Sequence, residues 1–180
     1  MDADNEKVLV EEFLNGNEEA FNLIVRKFRQ KIYWFARRML GNHSDADEVT
    51  QEVLITLFEK LHTFKFESSL LTWIYKITHS KTLNLIRKQK VRQYFSLDKI
   101  YDKQDTDDVI KNFEDKEKLN NVIKYLEKIP PKQREIFVLR HFEELSYKEI
   151  AEVTNKSVGT LKANYFHALK KITEMIENEE

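Results

Sequence analysis

Three glycines and two prolines among 180 residues leave this chain few places to turn sharply. Tight hairpins rely on residues that tolerate positive φ, so this scarcity leaves little room for a β architecture. Apolar residues instead recur at helical spacing almost throughout the chain. An all-α protein is expected. The absence of cysteine removes disulfides, thiolate metal sites and thiol catalysis together, and fits a reducing cytosol. The acidic start, MDADNEKVLVEEFLNGN, has no continuous apolar stretch, so neither a signal peptide nor a membrane anchor is expected. No apolar run approaches the length that spans a bilayer. The expectation is a soluble, cytoplasmic protein with no membrane partner.

Charge divides the chain into three parts. Residues 1–92 carry 15 basic and 13 acidic groups, residues 93–117 carry 4 and 8, and residues 118–180 carry 11 and 10. The middle part contains YDKQDTDD, polar and without apolar periodicity, which reads as a flexible acidic linker. Two small helical domains therefore flank it. In the first, helices are expected near 4–14, 18–40, 44–62 and 70–92. Gly41-Asn42 breaks the chain, and Ser44 with Asp45, Asp47 and Glu48 makes a good helix start. Val49, Val53, Leu57 and Leu61 then form an apolar stripe, and Ser68-Ser69 are plausible caps for the fourth helix. In the second, helices are expected near 114–128, 131–143, 146–154 and 157–177. Pro131 suits a first helical turn, Ser146 and Glu149 form a capping box, and Ser157 can cap the last helix.

Residues 68–97 contain no Asp or Glu but hold Lys76, Lys81, Arg87, Lys88, Lys90 and Arg92, interleaved with Trp73, Tyr75, Tyr94 and Phe95. In a nearly neutral protein, with 30 basic against 31 acidic side chains, such a local excess needs a cause. Cations beside aromatic rings suit a polyanion whose bases can stack, which is nucleic acid, in part single-stranded. The competing reading is a solvated helix face.

A second DNA-binding signal favours the first reading. The segment SYKEIAEVTNKSVGTLKANYFHALKKI, residues 146–172, has the spacing of a helix-turn-helix. Ala151 permits a close helix crossing, Asn155 suits the left-handed turn, and Ile150, Val153, Val158 and Leu161 can close the junction. Such a unit sets the start of its last helix in the major groove. Thr160, Lys162, Ala163, Asn164 and His167 lie on the outward face, where Asn can pair with adenine and Lys with guanine or phosphate.

With both halves read, the chain resembles a group 4, or extracytoplasmic-function (ECF), sigma factor of bacterial RNA polymerase. DADEVTQEVLITLFEKL at 45–61, LLTWIYKITHSKTLNLIRKQK at 70–90 and LEKIPPKQREIFVLRHFEELSYKEIAEVTNKSVGTLK at 126–162 carry the resemblance. It implies a sigma2-like domain over 1–92 that binds core polymerase and captures the −10 element. A linker over 93–117 follows, then a sigma4-like helix-turn-helix domain over 118–180 that reads the −35 element. Glu48, Gln51 and Glu52, with Asp47 beside them, match the positions that grip the coiled coil of the largest polymerase subunit; the flap is the second polymerase contact. The three share a helix face opposite the apolar stripe. Phe64, Lys65, Phe66, Ser68 and Ser69 match the loop that captures a flipped −10 base. Trp73, Tyr75, Lys76, His79, Ser80, Lys81, Asn84, Arg87 and Lys88 continue along the DNA, although Trp73 serves equally as a core residue. Ser157, Thr160, Lys162, Ala163, Asn164, His167 and Lys170 are the −35 candidates. Asp98, Asp102, Asp105, Asp107 and Asp108 would mimic nucleic acid in the polymerase cleft. An anti-sigma factor is a further partner that the resemblance implies.

The chain departs from the family pattern at three places. Ser80 and Asn84 stand where Asn and Asp are frequent, Lys162-Ala163-Asn164 replaces a frequent Lys-Ser-Arg, and Thr154 replaces an apolar residue. Loss of that Arg removes one strong phosphate or guanine contact, so −35 reading is expected to be altered or weak. A separate recruiting protein that targets DNA would compensate. The alternative is a polymerase-independent helix-turn-helix regulator with an N-terminal ligand or dimer domain. It explains residues 118–180 but not the carboxylate-free helix. An enzyme is not expected, since there is no phosphate-binding Gly loop, no paired-His motif and no cysteine. No metal or other cofactor is expected.

Overall fold

The computed structural model describes residues 2–95 and 113–178, and among these there is no strand. Eight α-helices run α1 Asp2–Leu14, α2 Glu18–Leu40, α3 His43–Lys60, α4 Leu70–Phe95, α5 Phe113–Glu127, α6 Pro131–Phe137, α7 Tyr147–Thr154 and α8 Val158–Glu177. A 3₁₀ turn, Leu61–Thr63, follows α3, and a π turn, Val138–Phe142, carries α6 onward. The expected linker is helical at both described ends, since α4 continues to Phe95 and α5 begins at Phe113. The five aspartates from Asp98 to Asp108 lie outside the described residues.

Local chemistry sets the helix ends. Asn17 caps α2, accepting from the Glu19 amide at 3.1 Å. At its other end Gly41 takes φ 81°, a left-handed turn that favours glycine, with the movable Glu127 carboxylate lying against it. Asn42 caps α3 and accepts from the Asp45 amide at 2.8 Å, so the helix starts before the expected Ser44. An Asn side chain reaches the free amide three residues on as well as Ser does. Ser69 caps α4 by accepting from the Thr72 amide at 3.0 Å. The Ser146/Glu149 capping box forms, Ser157 accepts from the Thr160 amide at 3.3 Å, and Asn155 takes φ 57°.

The apolar core runs through both halves. Ile24, Phe28, Ile32 and Phe35 of α2 face Val49, Val53 and Leu57 of α3, with Leu61, Leu70 and Ile74 closing the first half. Burying each such side chain is worth roughly 1.5–3 kcal/mol. Leu126, Ile129, Ile136, Leu139, Ile150, Val153, Leu161 and Ala168 build the second. Val158, expected in the helix-turn-helix junction, is instead 40% exposed in the first turn of α8. Thr154, in place of the apolar residue, is buried with its hydroxyl satisfied by the Ile150 carbonyl at 2.7 Å.

The halves also pack on each other. α7 lies against α4, and α5 and α6 lie against α2. Arg134 of α6 donates to the Met39 carbonyl at 2.7 Å and to the Glu127 carbonyl at 2.9 Å, tying the C-terminal end of α2 to the second half.

Candidate nucleic-acid and polymerase interfaces

The buried stripe of α3 turns its opposite face outward, so Glu48, Gln51 and Glu52 are exposed side by side, with Asp47 half-buried. Gln51 donates to Asp47 at 2.8 Å, and Lys81 of α4 pairs with Glu52 at 3.2 Å. This face is not purely acidic. Ile55 and Phe58 continue it at 60% and 51% exposure, Phe58 closing an aromatic cluster with Phe13 and Phe21. The sequence reading missed both; an apolar residue one turn beyond Gln51-Glu52, off the buried stripe, was the available signal.

Between α3 and α4, the 3₁₀ turn feeds residues 64–69. Phe64 is buried, with its ring 4.8 Å from Phe66 and 5.4 Å from Trp73. Phe66 sits at φ 59° and is 42% exposed, so a bulky residue is held in a sparsely allowed conformation with its ring toward solvent. A cleft of about 450 Å³ opens beside the loop, lined by Phe64, Lys65, Ser68, Trp73 and Lys76 from the first half and by Glu152 of α7 and its capping residue Asn155. Trp73 is half-buried, packing on the core with one side and lining this cleft.

The candidate residues of α4 divide between two faces. Lys76, Ser80, Asn84, Arg87 and Lys88 are exposed, and Lys81 is half-buried beside Glu52. Tyr75 and His79, one turn apart, point into the seam with the second half. The Tyr75 hydroxyl donates to Glu143, which also pairs with Arg38 of α2 at 3.0 Å. His79 Nε2 lies 2.8 Å from Glu135 of α6, whose other oxygen meets Lys156. Burial, then the Lys156 and Arg87 charges, pushes the His79 imidazole down to about 4. At neutral pH its Nε2 is therefore a neutral donor to the Glu135 carboxylate. In this arrangement Tyr75 and His79 are covered by protein. Arg38, Glu135 and Glu143 were not singled out in the sequence.

On α8, Thr160, Lys162, Ala163, His167 and Lys170 are exposed, as is Ser157 at its cap. Asn164 is half-buried and donates to the Thr160 carbonyl at 2.8 Å, so its amide is engaged along its own helix. Lys162 Nζ lies 5.8 Å from the centre of the Tyr147 ring. Among the described residues no group of three or more acidic or His side chains could hold a metal ion, and no helix is long and apolar enough to cross a membrane.

Comparison with known proteins covers both halves. The family model for sigma-70 region 2 matches residues 24–92, and that for sigma-70 region 4 matches residues 119–172. The ECF RNA polymerase sigma factor SigW of Bacillus subtilis is 32% identical over 167 residues, spanning 87% of this chain and 88% of that one. The ECF RNA polymerase sigma-E factor of Escherichia coli is 28% identical, over 96% of this chain and 94% of its own. Among solved structures, CnrH in complex with the cytosolic domain of CnrY superposes with a TM-score of 0.76 at 20% identity, over 98% of this chain and 99% of that one. The sigma factor RpoE of Bartonella quintana, solved with the anti-sigma factor NepR, gives 0.74 at 20% identity, over 89% and 98%. The arrangement of both halves is thus an established fold, and sequence likeness over almost nine-tenths of the chain places it in the family of ECF sigma factors of bacterial RNA polymerase.

Proposed function

We propose a division of labour over the surface of this transcription initiation factor, which binds core RNA polymerase and directs it to promoters. The family is one of non-enzymatic transcription factors, and catalysis belongs to the polymerase. Likeness across both halves removes the ground for a free-standing regulator, which accounted for the second half alone.

Domain 1–92 takes the core-binding and −10 roles, and domain 118–180 takes the −35 role. Glu48, Gln51 and Glu52, with Asp47, meet a basic polymerase surface, and Ile55 adds an apolar contact at the centre of that face. Lys76, Arg87 and Lys88 track phosphates, with Ser80 and Asn84 between them facing base edges. The loop at 64–69 and its cleft receive an unpaired base. Opening DNA then needs no hydrolysis: stacking worth about 1–3 kcal/mol per base offsets the few kcal/mol needed to extrude one. The Phe66 backbone carries this reading, because an aromatic residue held at positive φ keeps its ring 42% exposed beside the cleft at a conformational cost that its packing on Phe64 only partly offsets.

On α8, Thr160, Lys162, Ala163 and His167 face the −35 groove, with Ser157 and Lys170 at phosphates. The self-engaged Asn164 amide is consistent with weak −35 reading. That leaves a place for a recruiting protein, while RpoE of Bartonella quintana, solved with the anti-sigma factor NepR, suggests an anti-sigma partner for this chain. A cytoplasmic location follows from the polymerase as partner. Titration of the protein against core polymerase tests the assignment: Gln51→Ala with Glu52→Arg should abolish binding and leave the helical signal unchanged. Equal binding by parent and variant would remove the α3 face from the interface.

A further inference from the structure

Helix α1 contributes no candidate residue to either DNA interface, and its charge gives no hint of one. The first 25 residues hold seven carboxylates and one cation, Lys7. That one cation stands at the base-capture loop, its Nζ over the Phe66 ring and 5.9 Å from the ring centre. The separation is within the range of a cation–π contact.

The placement of Lys7 follows from how α1 is anchored. Val10 is fully buried, and the Phe13 ring packs 5.2 Å from Phe21 and 5.5 Å from Phe58. Glu6, the residue before Lys7, pairs with Lys27 of α2 at 2.9 Å, and α1 also touches the 3₁₀ turn that feeds residues 64–69. The helix is therefore held rigidly, while the Lys7 ammonium stays loose. Its pair with Glu11, at 3.7 Å, joins two side chains that are each more than half exposed, and water weakens such a contact.

Phe66 is braced from within the loop by Phe64 at 4.8 Å and remains 42% exposed. A base that stacks on this ring brings its own backbone phosphate to the same place. The ammonium then exchanges a solvent-exposed ring contact for a charge-assisted contact with the phosphate, and counterions are released from the strand. Lys65 and Lys76 line the cleft itself, whereas Lys7 approaches the loop from another helix.

We propose that Lys7 is a further strand-holding residue: its ammonium covers the Phe66 ring in the free chain and passes to the phosphate of the nucleotide whose base stacks there. The proposal rests on the −10 reading of the loop. The ligand is single-stranded DNA, held at its backbone, so Lys7 adds affinity for melted promoter and no sequence preference. α1 thereby joins the DNA-holding surface through one residue.

The test uses the full chain bound to core polymerase and a promoter fragment with an unpaired −10 segment, its affinity followed across a salt series. Lys7→Gln should lower the log–log slope by about 0.7, the value for one single-strand phosphate contact. Over the decade from 1 M to 0.1 M salt that slope amounts to about fivefold weaker binding at the lower end. Lys7→Arg, which keeps the charge, should retain the parent slope. In a Phe66→Leu background Lys7→Gln should cost less than in the parent, because the ring no longer places the phosphate. Binding to core polymerase, thermal melts and affinity for a fully paired fragment without a −10 element should be unchanged by Lys7→Gln. A merely structural role would shift the melts and leave the slope alone. An unchanged slope, or an equal loss on the fully paired fragment, would overturn the proposal. Failure of the −10 reading itself would show separately, as parent-like binding of the unpaired fragment by Phe66→Leu.

Discussion

Tyr75 on α4 donates its phenolic proton to Glu143 beyond the π turn, joining two residues 68 positions apart across the seam of the molecule. Burial raises the Glu143 pKa, while the Tyr75 hydrogen bond and the Arg38 charge oppose the rise. The same burial lowers that of Arg38 and drives the Tyr75 hydroxyl far above its ordinary range. Each group is thus held by its partners, and none is stable there alone. Arg38→Met leaves a buried carboxylate without its counter-charge and should cost about 3–5 kcal/mol in urea unfolding. Tyr75→Phe removes one hydrogen bond and should cost about 1 kcal/mol. Glu143→Gln in the Arg38→Met background should recover part of the loss. Strict additivity of the two substitutions would argue against a coupled pair.

His79 gives the packing a pH dependence of known sign. An unfolded imidazole titrates near 6.5, whereas the folded one is pushed down to about 4 by burial and by the Lys156 and Arg87 charges, with Glu135 accepting its hydrogen bond. The folded state therefore favours the neutral ring. Its contribution is complete above pH 6.5 and is lost as the pH falls toward 4, at most on the order of 3 kcal/mol. Glu143, whose pKa is raised, works in the opposite sense and blunts the loss. Melting temperatures between pH 7 and 4 should fall more steeply for the parent than for His79→Gln, which keeps a donor but does not titrate. Parallel curves would show that this ring does not control the response.

How much of this was legible in the sequence depends on range. Ser146 with Glu149, Asn155 and Ser157 act within four residues of themselves, and each does what its type and spacing suggested. The stripe Val49, Val53, Leu57 and Leu61 is buried throughout, because helical periodicity needs no knowledge of the partner surface. Val158 fails as a junction residue because the first position of α8 is 40% exposed, and Leu161 three residues on takes the buried side instead. The Glu135 and Glu143 pairings join residues 56 and 68 positions apart, and no local pattern marks a carboxylate that will be buried. Tyr75 and His79 belonged by spacing to the aromatic-basic helix, and the packing of Phe35 on Tyr75 and of Glu143 and Glu135 from the second half separates them from Lys76 and Ser80.

The cations on α4 should be visible in the salt dependence of promoter binding. Each phosphate contact releases counterions and contributes about 0.7–0.9 to the log–log slope. Neutralising Lys76, Lys81, Arg87 and Lys88 together should lower that slope by about 3 and impair open-complex formation. Core binding should be preserved, with one reservation built into the structure, since Lys81 pairs with Glu52 on the α3 face. Lys81→Gln alone should be compared first. Normal promoter opening by the fourfold variant would sink the DNA assignment of α4.

Phe66 offers a test in which stability and function move apart. At φ 59° a residue with a Cβ is strained by about 1–2 kcal/mol, and only glycine escapes the penalty. The Phe66 ring recovers part of this by packing 4.8 Å from Phe64. Phe66→Ala loses the ring and keeps the strain; Phe66→Gly loses the ring and releases it. The glycine variant should therefore be the more stable of the two by about 1 kcal/mol, less the extra backbone entropy glycine loses on folding. Both should be poor at holding melted DNA, because a stacked base worth about 1–3 kcal/mol has lost its platform. Open-complex lifetimes with core polymerase should fall for both variants alike, regardless of their order in thermal melts. Should the glycine variant instead open promoters as well as the parent, the ring would be packing alone, and base capture would fall to Trp73 and the cleft.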